Sequence, residues 1–137
     1  MTPSGILETA LYAEDLAAAE RFYKTVLGLP VATRQAGHHV FFRCGSGMLL
    51  VFNPKASRRP PVIGARLPVP PHGAEGPGHV CFRAMSHEIP QWIERLRGHR
   101  VHIEADFTWP SGARSIYFRD PAGNSLEFAE PRLWADR

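Results

Sequence analysis

Three side chains of the kinds that bind metal ions, Glu8, His79 and Glu127, fall on matching positions of an internal repeat, with Val51 at a fourth. Each is expected on a rigid strand. Two carboxylates and a neutral imidazole suit a divalent cation such as Zn, Mn, Ni, Co or Fe, and they balance its charge. Without a cation the carboxylates would repel each other, and one would be pushed towards protonation. Three protein ligands that leave room for water or substrate are typical of a catalytic metal site.

The repeat that relates these residues has two parts. The segment Gly76–Arg83 matches Gly5–Tyr12, and in this alignment His79 corresponds to Glu8. Further on, Gly47–Phe52 lies 76 positions before Gly123–Phe128, without a gap. Self-similarity on this scale indicates a duplicated unit. Taken singly, each of the three residues is an ordinary strand residue, so the predicted metal site depends on their symmetric placement.

Each unit is predicted to have the order βαβββ, which makes an α+β fold. In the first unit, alternating residues predict a strand over Ile6–Ala13. An apolar face over Leu16–Leu27 predicts a helix with Asp15 as N-cap and Gly28 at its end. The remaining strands are predicted at Val31–Arg34, His39–Arg43, Met48–Phe52, His79–Ala84, Val101–Glu104, Arg114–Arg119 and Ser125–Ala129, and the second helix from Ser86 or His87 to Arg97.

The whole chain of 137 residues is predicted to be a single domain. Module 1 spans about 5–54 and module 2 about 78–131, with a proline-rich connector at about 55–77 and a C-terminal tail at 132–137. A connector this long in a small domain is usually functional or a linker, so it could help to wall a pocket. In the tail, Leu133 and Trp134 are expected to dock on the body of the protein or on a partner.

One helix per unit covers one face of its strands and leaves the other face to be buried or used. Strand alternation separates the two faces. The face opposite the helix is predicted to carry His79, Cys81, Arg83, Ser115, Tyr117, Arg119, Ser125 and Glu127 in the second unit, and Glu8, Tyr12, Leu49 and Val51 in the first.

Six further assignments describe a substrate pocket around the metal. Tyr12 and Tyr117 could donate hydrogen bonds to a substrate. Arg114 could clamp an anionic group, although surface charge is the alternative for it. Histidines outside the predicted site, His72 among them, are expected on the surface or in loops. The apolar walls are assigned to Phe41, Val51 and Trp109.

Composition limits the class of protein. Hydrophobic residues make up 44% and charged residues 21% of the chain, as in a soluble globular protein. A net charge of +3 and a pI near 9.2 come from scattered basic residues rather than a stripe, so no nucleic acid and no membrane is expected as a partner. The start of the chain has no signal pattern, and two cysteines make no disulfide framework, so a cytoplasmic protein is expected.

Several short motifs resemble those of a known superfamily. They are Leu11–Leu16 leading into Phe22-Tyr23 and Val26–Leu29, then Gly78-His79-Val80, and above all Tyr117–Glu127. On these motifs the chain resembles the vicinal oxygen chelate superfamily, which includes glyoxalase I, fosfomycin-resistance thiol transferases, extradiol dioxygenases and bleomycin-resistance proteins. The resemblance implies paired βαβββ modules that form a cupped mixed sheet around a metal, and commonly a homodimer.

The resemblance also carries over a ligand set, Glu8, His79 and Glu127. Glyoxalase I-like members usually have a fourth ligand at the end of the first module, where this chain has Val51. Fosfomycin-resistance enzymes and extradiol dioxygenases use two histidines and one glutamate, and Glu8 replaces the first histidine. This departure weakens an Fe(II) dioxygenase interpretation.

The resulting hypothesis is a metal-dependent, glyoxalase-like isomerase or lyase that acts on a small oxygen-rich substrate. The metal would chelate two substrate oxygens and act as a Lewis acid. Glu127, or Glu8 if it leaves the metal, would be the proton-transferring base. The alternatives are a non-catalytic drug- or metabolite-binding protein of the bleomycin-resistance kind, and a thiol transferase or dioxygenase of the same superfamily.

Overall fold

The computed structural model describes residues 1–135, so the last two residues of the predicted tail lie outside the described part. The chain divides into two compact units, Met1–Gly76 and Pro77–Arg137. Each contains one four-stranded sheet, ordered β1-β4-β3-β2 in the first unit and β5-β8-β7-β6 in the second. In both sheets the first pair is parallel and the other pairs are antiparallel. The identical order confirms two βαβββ modules.

The first helix forms where its sequence predicts it. The Asp15 carboxylate accepts the Ala18 N–H at 2.9 Å, which caps the helix at its N-terminus. Gly28 follows the end of the helix with a φ of 71°, a conformation that favours glycine. The elements of the first unit are β1 Glu8–Tyr12, α1 Leu16–Arg21 with a π-helical continuation Phe22–Val26, β2 Val31–Gln35, β3 His39–Cys44, β4 Gly47–Phe52 and α2 Pro54–Ser57.

The second unit departs from prediction at both ends of its helix. The helix begins at Ile89, later than predicted, because the Glu88 carboxylate accepts the Met85 N–H at 2.6 Å and holds a turn there. The predicted strand Val101–Glu104 is wrong, because the Val101 N–H is donated to the Leu96 carbonyl at 2.8 Å and closes the helix end. The elements of the second unit are β5 His79–Arg83, α3 Ile89–Gly98, β6 Ala105–Thr108, β7 Arg114–Arg119, β8 Ser125–Ala129 and a 3₁₀ turn Pro131–Trp134.

The connector is partly ordered by hydrogen bonds rather than extended throughout. Asn53 caps the short helix α2 through the Lys55 N–H, at 3.0 Å. Ser57 and His72 are joined twice, from the His72 N–H to the Ser57 carbonyl at 3.0 Å and from the Ser57 hydroxyl to the His72 carbonyl at 2.6 Å. These bonds bring the far end of the connector back to the first unit. Within residues 1–135, no helix is long and apolar enough to span a membrane.

Each sheet packs one face against its own helix. In the first unit, the rings of Phe42 and Tyr23 have centroids 5.3 Å apart. In the second unit, Phe128 stacks on Trp92 with centroids 4.3 Å apart. Because side chains alternate along a strand, the residues between these core positions point to the opposite face, here called the open face.

Val51 does not lie on the open face, so its predicted role as a pocket wall is wrong. It pairs with Leu11 and with Val40, and all three are buried in the helix-side core. The open face of the same strand carries Phe52, whose ring lies 6.3 Å from that of Tyr12.

The error comes from a difference of one residue between two hairpins. Arg43 pairs with Met48, five positions further on, whereas Arg119 pairs with Ser125, six positions further on. An offset of one residue turns every following side chain to the other face. The ungapped repeat conceals this difference.

Register identifies the true counterpart of Glu127 in the first unit. Glu127 pairs with Cys81, and Leu50 pairs with Ala10 at the matching place. Leu50 is therefore the fourth symmetric position. An aliphatic residue stands there, as it did in the prediction, so the first unit offers only Glu8 as a ligand at these positions.

Candidate functional site

The candidate site lies on the open face of the second unit, where two neighbouring parallel strands place His79 beside Glu127. The Nδ1 atom of His79 lies 2.9 Å from the Ser125 carbonyl oxygen, and its Nε2 atom lies 3.3 Å from Oε2 of Glu127. The histidine side chain is 49% exposed, whereas that of Glu127 is only 6% exposed. The carboxylate is thus fixed inside the protein, and the imidazole lies between it and solvent.

The partners of the two imidazole nitrogens define the chemistry of this pair. A backbone carbonyl only accepts, so Nδ1 of His79 must carry the proton. A neutral ring with that tautomer presents the lone pair of Nε2 to a carboxylate oxygen, which is another acceptor. A proton or a metal cation between Nε2 and Oε2 resolves this mismatch. A metal-binding histidine characteristically donates its other N–H to a carbonyl or carboxylate, as His79 does to Ser125.

A chain of hydrogen bonds holds Glu127 from behind. The fully buried Ser115 hydroxyl donates to Oε1 of Glu127 at 2.6 Å. The indole N–H of Trp109 donates to the same hydroxyl oxygen at 2.7 Å. An indole only donates and a hydroxyl has a single proton, so the direction of both bonds is fixed. One carboxylate oxygen is thereby anchored, and the other faces His79.

Cys81 and Tyr117 lie on either side of Glu127 in the sheet and remain protonated. Burial, followed by the negative charge of Glu127 and a hydrogen bond to it, raises the pKa of Cys81 to about 12. The same three causes, in the same order, raise the pKa of Tyr117 to about 12. At neutral pH both groups are therefore donors, and Cys81 is no thiolate nucleophile. The Tyr117 ring also stacks on that of His79, with centroids 6.1 Å apart.

These residues line a cavity of about 390 Å³ that belongs entirely to the second unit. This volume is within the range of about 300–1,000 Å³ that is usual for small-molecule sites. Its lining has a polar set of residues, here called the floor, and a mostly apolar set, here called the rim. The floor consists of His79, Cys81, Tyr117 and Glu127, and the rim of Trp109, Pro110, Ser111, Leu133 and Trp134.

Three predicted residues of the first unit, Glu8, Tyr12 and Phe41, lie on the open face of their own sheet. Glu8 is exposed at the start of β1. The Tyr12 hydroxyl lies 2.7 Å from Nδ1 of His72, and Phe41 lies on the same face, with its ring 5.1 Å from that of Phe52. His72 is a loop residue, as expected, and its contact with the Tyr12 hydroxyl places its side chain against the open face.

Arg114 does not line the cavity, so its prediction as a pocket residue is wrong. Its guanidinium donates two hydrogen bonds to the Asp106 carboxylate, both of 2.8 Å. It is one residue out of phase with Ser115 and Tyr117 and so lies on the helix side of β7. The bond to Arg114 lowers the pKa of Asp106, and this pair joins two strands rather than binding an anion.

Comparison with known proteins identifies the family of this arrangement. The family model for the Glyoxalase/Bleomycin resistance protein/Dioxygenase superfamily matches residues 5–128. The chain belongs to this superfamily. No curated protein matches the chain.

Solved structures of the glyoxalase superfamily resemble the chain over nearly its full length. Lactoylglutathione lyase from Agrobacterium tumefaciens is 47% identical, with a TM-score of 0.92 over 99% of this chain and 100% of that chain. A glyoxalase/bleomycin resistance protein/dioxygenase from Nocardioides is 27% identical, with a TM-score of 0.73 over 95% and 85%. A virulence protein from Salmonella typhimurium is 25% identical, with a TM-score of 0.70 over 95% and 98%.

For this superfamily member, the structure joins two of the three predicted ligands within one unit. His79 and Glu127 are together, and Glu8 belongs to the other unit. Among residues 1–135, no group of three or more histidine, cysteine, aspartate or glutamate side chains gathers as a metal site. The role of Glu8 as the third ligand therefore stays a prediction.

Sequence reasoning did not link two side chains and one segment to this candidate site of the glyoxalase-superfamily chain. Strand alternation placed Ser115 and Cys81 on the open face, but nothing in their local sequence linked them to Glu127. The tail turn that carries Trp134 was expected to dock on the body of the protein or on a partner, but the sequence did not indicate that it would line this cavity. The signal for Ser115 is its strand pairing, because Tyr117, two residues away on the same strand, pairs directly with Glu127.

Proposed function

We propose that this protein is a metal-dependent enzyme of the glyoxalase superfamily, a glyoxalase-like isomerase or lyase that acts on a small oxygen-rich substrate. The observation that carries the proposal is the pair of acceptors that face each other, Nε2 of His79 and Oε2 of Glu127, 3.3 Å apart at the floor of a cavity. Two acceptors at this distance are reconciled by a proton or by a metal cation, and because both are ligand atoms we take the metal as the proposal.

The residues proposed to hold the metal are His79, Glu127 and Glu8. The donor set fits the group, since the Nδ1–H bond of His79 and the Ser115 bond to Glu127 fix both second-unit ligands from behind. When bound, a divalent cation would supply Lewis-acid stabilisation of negative charge on two substrate oxygens. Glu8 completes the set in this proposal because its position on β1 matches that of His79 on β5.

Glu127 is the proposed base, with Glu8 as the second candidate. Anchored through Oε1 by Ser115, the carboxylate keeps Oε2 towards the cavity, where, when the metal does not hold it, it could take a proton from a carbon next to a substrate carbonyl. Return of that proton to the neighbouring carbon, with transfer of the hydroxyl proton to the former carbonyl oxygen, completes an isomerisation. Tyr117 and Cys81 lie on either side of Glu127 and hydrogen-bond to it, so they help to orient its carboxylate.

The similarity to lactoylglutathione lyase supports a substrate formed from a 2-oxoaldehyde and a thiol. Such an adduct carries two adjacent oxygens, as bidentate chelation requires, and a hydrogen on the carbon next to the carbonyl. Methylglyoxal with glutathione is therefore the first pair to assay. We also propose that the protein is cytoplasmic and that it acts as a homodimer, as the family resemblance implies. Light scattering on the purified protein tests the oligomeric state.

The experiment combines elemental analysis with turnover. Protein freed of metal and reloaded with Zn, Mn, Ni or Co is assayed for thioester formation. We expect His79→Ala to lose bound metal and Glu127→Gln to lower kcat by about 10²–10⁴-fold. The matched controls, His87→Ala and Glu94→Gln, replace exposed residues of the second unit outside the cavity and should behave as the wild type.

Two outcomes would contradict parts of this proposal. Unchanged metal content and turnover in both site variants would overturn the enzyme assignment and favour a metal-free binding protein. Metal binding that depends on His79 and Glu127, without thioester formation from any 2-oxoaldehyde, would retain the site and overturn the reaction class.

A further inference from the structure

The rim of the cavity contains two apolar segments that come from different parts of the second unit. One is the turn between β6 and β7, which contributes Trp109 and Pro110. The other is the C-terminal 3₁₀ turn, which contributes Leu133 and Trp134. Two indoles, a proline and a leucine thus line the cavity together with the polar side chains of His79, Cys81, Tyr117 and Glu127.

The first rim segment is a tight turn with little freedom. The Trp109 N–H is donated to the Ala113 carbonyl and the Gly112 N–H to the Trp109 carbonyl, both at 2.8 Å. Gly112 has a φ of 86°, which L side chains rarely adopt. The Trp109 side chain is fixed as well, because its indole N–H binds Ser115 and its ring contacts Phe107 at a centroid distance of 4.8 Å.

The second rim segment is anchored by a buried carboxylate. Glu130 is only 5% exposed, and its Oε2 atom accepts the Arg114 backbone N–H at 2.6 Å and Nη2 of Arg132 at 3.0 Å. The Leu133 N–H is donated to the Glu130 carbonyl at 3.0 Å. The Arg132 side chain also packs over the first segment, since a Cβ built on Gly112 would lie 3.7 Å from Nη1 of Arg132. The two segments are therefore built as one rim.

The second segment lies outside the residues that the family model matches. The family model ends at residue 128, and the 3₁₀ turn spans Pro131–Trp134. Trp134 is 85% exposed although it lines the cavity, so most of its indole surface is available to a ligand. A large exposed indole on an anchored backbone, beside a site for small molecules, is typical of a ligand contact.

We propose that Trp134, together with Trp109, forms a subsite for an apolar, planar substituent of the substrate, whose oxygen-bearing head lies at His79 and Glu127. The preferred ligands carry an aryl group rather than a methyl group next to the oxygens. Indole faces and edges suit an aromatic ring, and transfer of that ring from water to the rim favours binding. This inference rests on the proposed function for the position of the head, and it names the substrate class.

Equilibrium binding of two unreactive acids tests the subsite apart from turnover. Lactate and mandelate share the α-hydroxycarboxylate head and differ only in a methyl or a phenyl group. Both are titrated by calorimetry into protein loaded with the same divalent metal. For the wild type we expect mandelate to bind about tenfold more tightly than lactate, the range that one apolar contact supplies. Trp134→Ala should reduce this preference to threefold or less and leave the affinity for lactate unchanged.

Two further variants and one further measurement keep the test sharp. Trp134→Phe retains an aromatic ring and should retain most of the preference. Leu67→Ala removes an exposed apolar side chain of the first unit and should leave it unchanged. Thermal unfolding checks that each variant is folded.

Three results would overturn the subsite. They are a wild type without preference for mandelate, a preference that survives in Trp134→Ala, and an equal loss of affinity for both acids in that variant. If Trp134→Ala instead dissociates an oligomer and keeps the preference, the tail is an interface between copies, and the subsite is likewise rejected. A different result would contradict the proposed function: the variants at His79 and Glu127 would then keep both their bound metal and their turnover.

Discussion

Replacing Ser115 with alanine tests the hydrogen-bond chain behind Glu127. The substitution removes the hydroxyl that donates to Oε1 of Glu127 at 2.6 Å and accepts from the indole of Trp109 at 2.7 Å. Ser115 is fully buried and Glu127 is 4% exposed, so water cannot easily replace the lost donor.

These contacts set the size of the effect. A buried hydrogen bond to a charged group contributes about 1.5–3 kcal/mol, and removal of one partner exposes that full amount. We therefore expect Ser115→Ala to lower the free energy of unfolding by about 2–3 kcal/mol at pH 7. Since 1 kcal/mol shifts the melting temperature of a domain of this size by about 4 °C, the expected shift is about 8–12 °C.

Ser115→Ala should also lower kcat, by more than its loss of stability explains. Without Ser115, Oε1 of Glu127 loses its anchor and the carboxylate turns away from His79, so kcat should fall by about tenfold or more at temperatures where the variant is fully folded. Ser115→Thr keeps a hydroxyl and should restore kcat more than stability. Ser86→Ala, at an exposed position of the same unit, is the matched control.

Urea unfolding followed by circular dichroism measures the free energy of unfolding, and steady-state kinetics on folded protein measure kcat. A stability change of Ser115→Ala within about 0.5 kcal/mol of the wild type, the range of ordinary surface substitutions, would refute the hydrogen-bond argument. A full loss of stability with unchanged kcat would show that Ser115 supports the fold and does not position Glu127.

Two further predictions concern stability elsewhere in the chain. The hydrogen bond from the Arg114 backbone N–H, followed by that from the Arg132 side chain, lowers the pKa of Glu130 below its ordinary value of 4.5. Its contribution is therefore present above about pH 4.5 and lost as the pH falls through the folded-state pKa. Glu130→Gln should cost about 1 kcal/mol at pH 7, and urea unfolding should show this difference shrinking below pH 4.5; a constant difference would contradict it. Asp15→Ala removes the cap on the Ala18 N–H and should cost about 1 kcal/mol, whereas Asp15→Ser should be nearly neutral by the same assay.

The internal repeat predicts the fold because the order of the strands in each sheet follows from it. Two copies of one pattern give two sheets with the same strand order, and the alternation in β5 and β8 puts His79 and Glu127 on one face. Helix ends with local signals, such as Asp15 and Gly28, are also confirmed. These features depend on short-range chemistry that the sequence states directly.

Errors arise where a side chain's role depends on pairing across strands. A difference of one residue in hairpin length puts Val51 in the core, although every local pattern around it repeats. The Arg114 guanidinium is paired with the Asp106 carboxylate on the adjacent strand. The residues that flank either one in the sequence do not predict this contact. Such contacts are set by register, which a single sequence constrains only weakly.

Anomalous diffraction from crystals grown with zinc tests the central claim most directly. The account predicts a zinc ion about 2.0–2.2 Å from Nε2 of His79 and from a carboxylate oxygen of Glu127, with Glu8 as the third protein ligand. The crystals should lose this peak in His79→Ala. A zinc ion bound elsewhere, or no anomalous peak beside His79 and Glu127 at saturating zinc, would contradict the account.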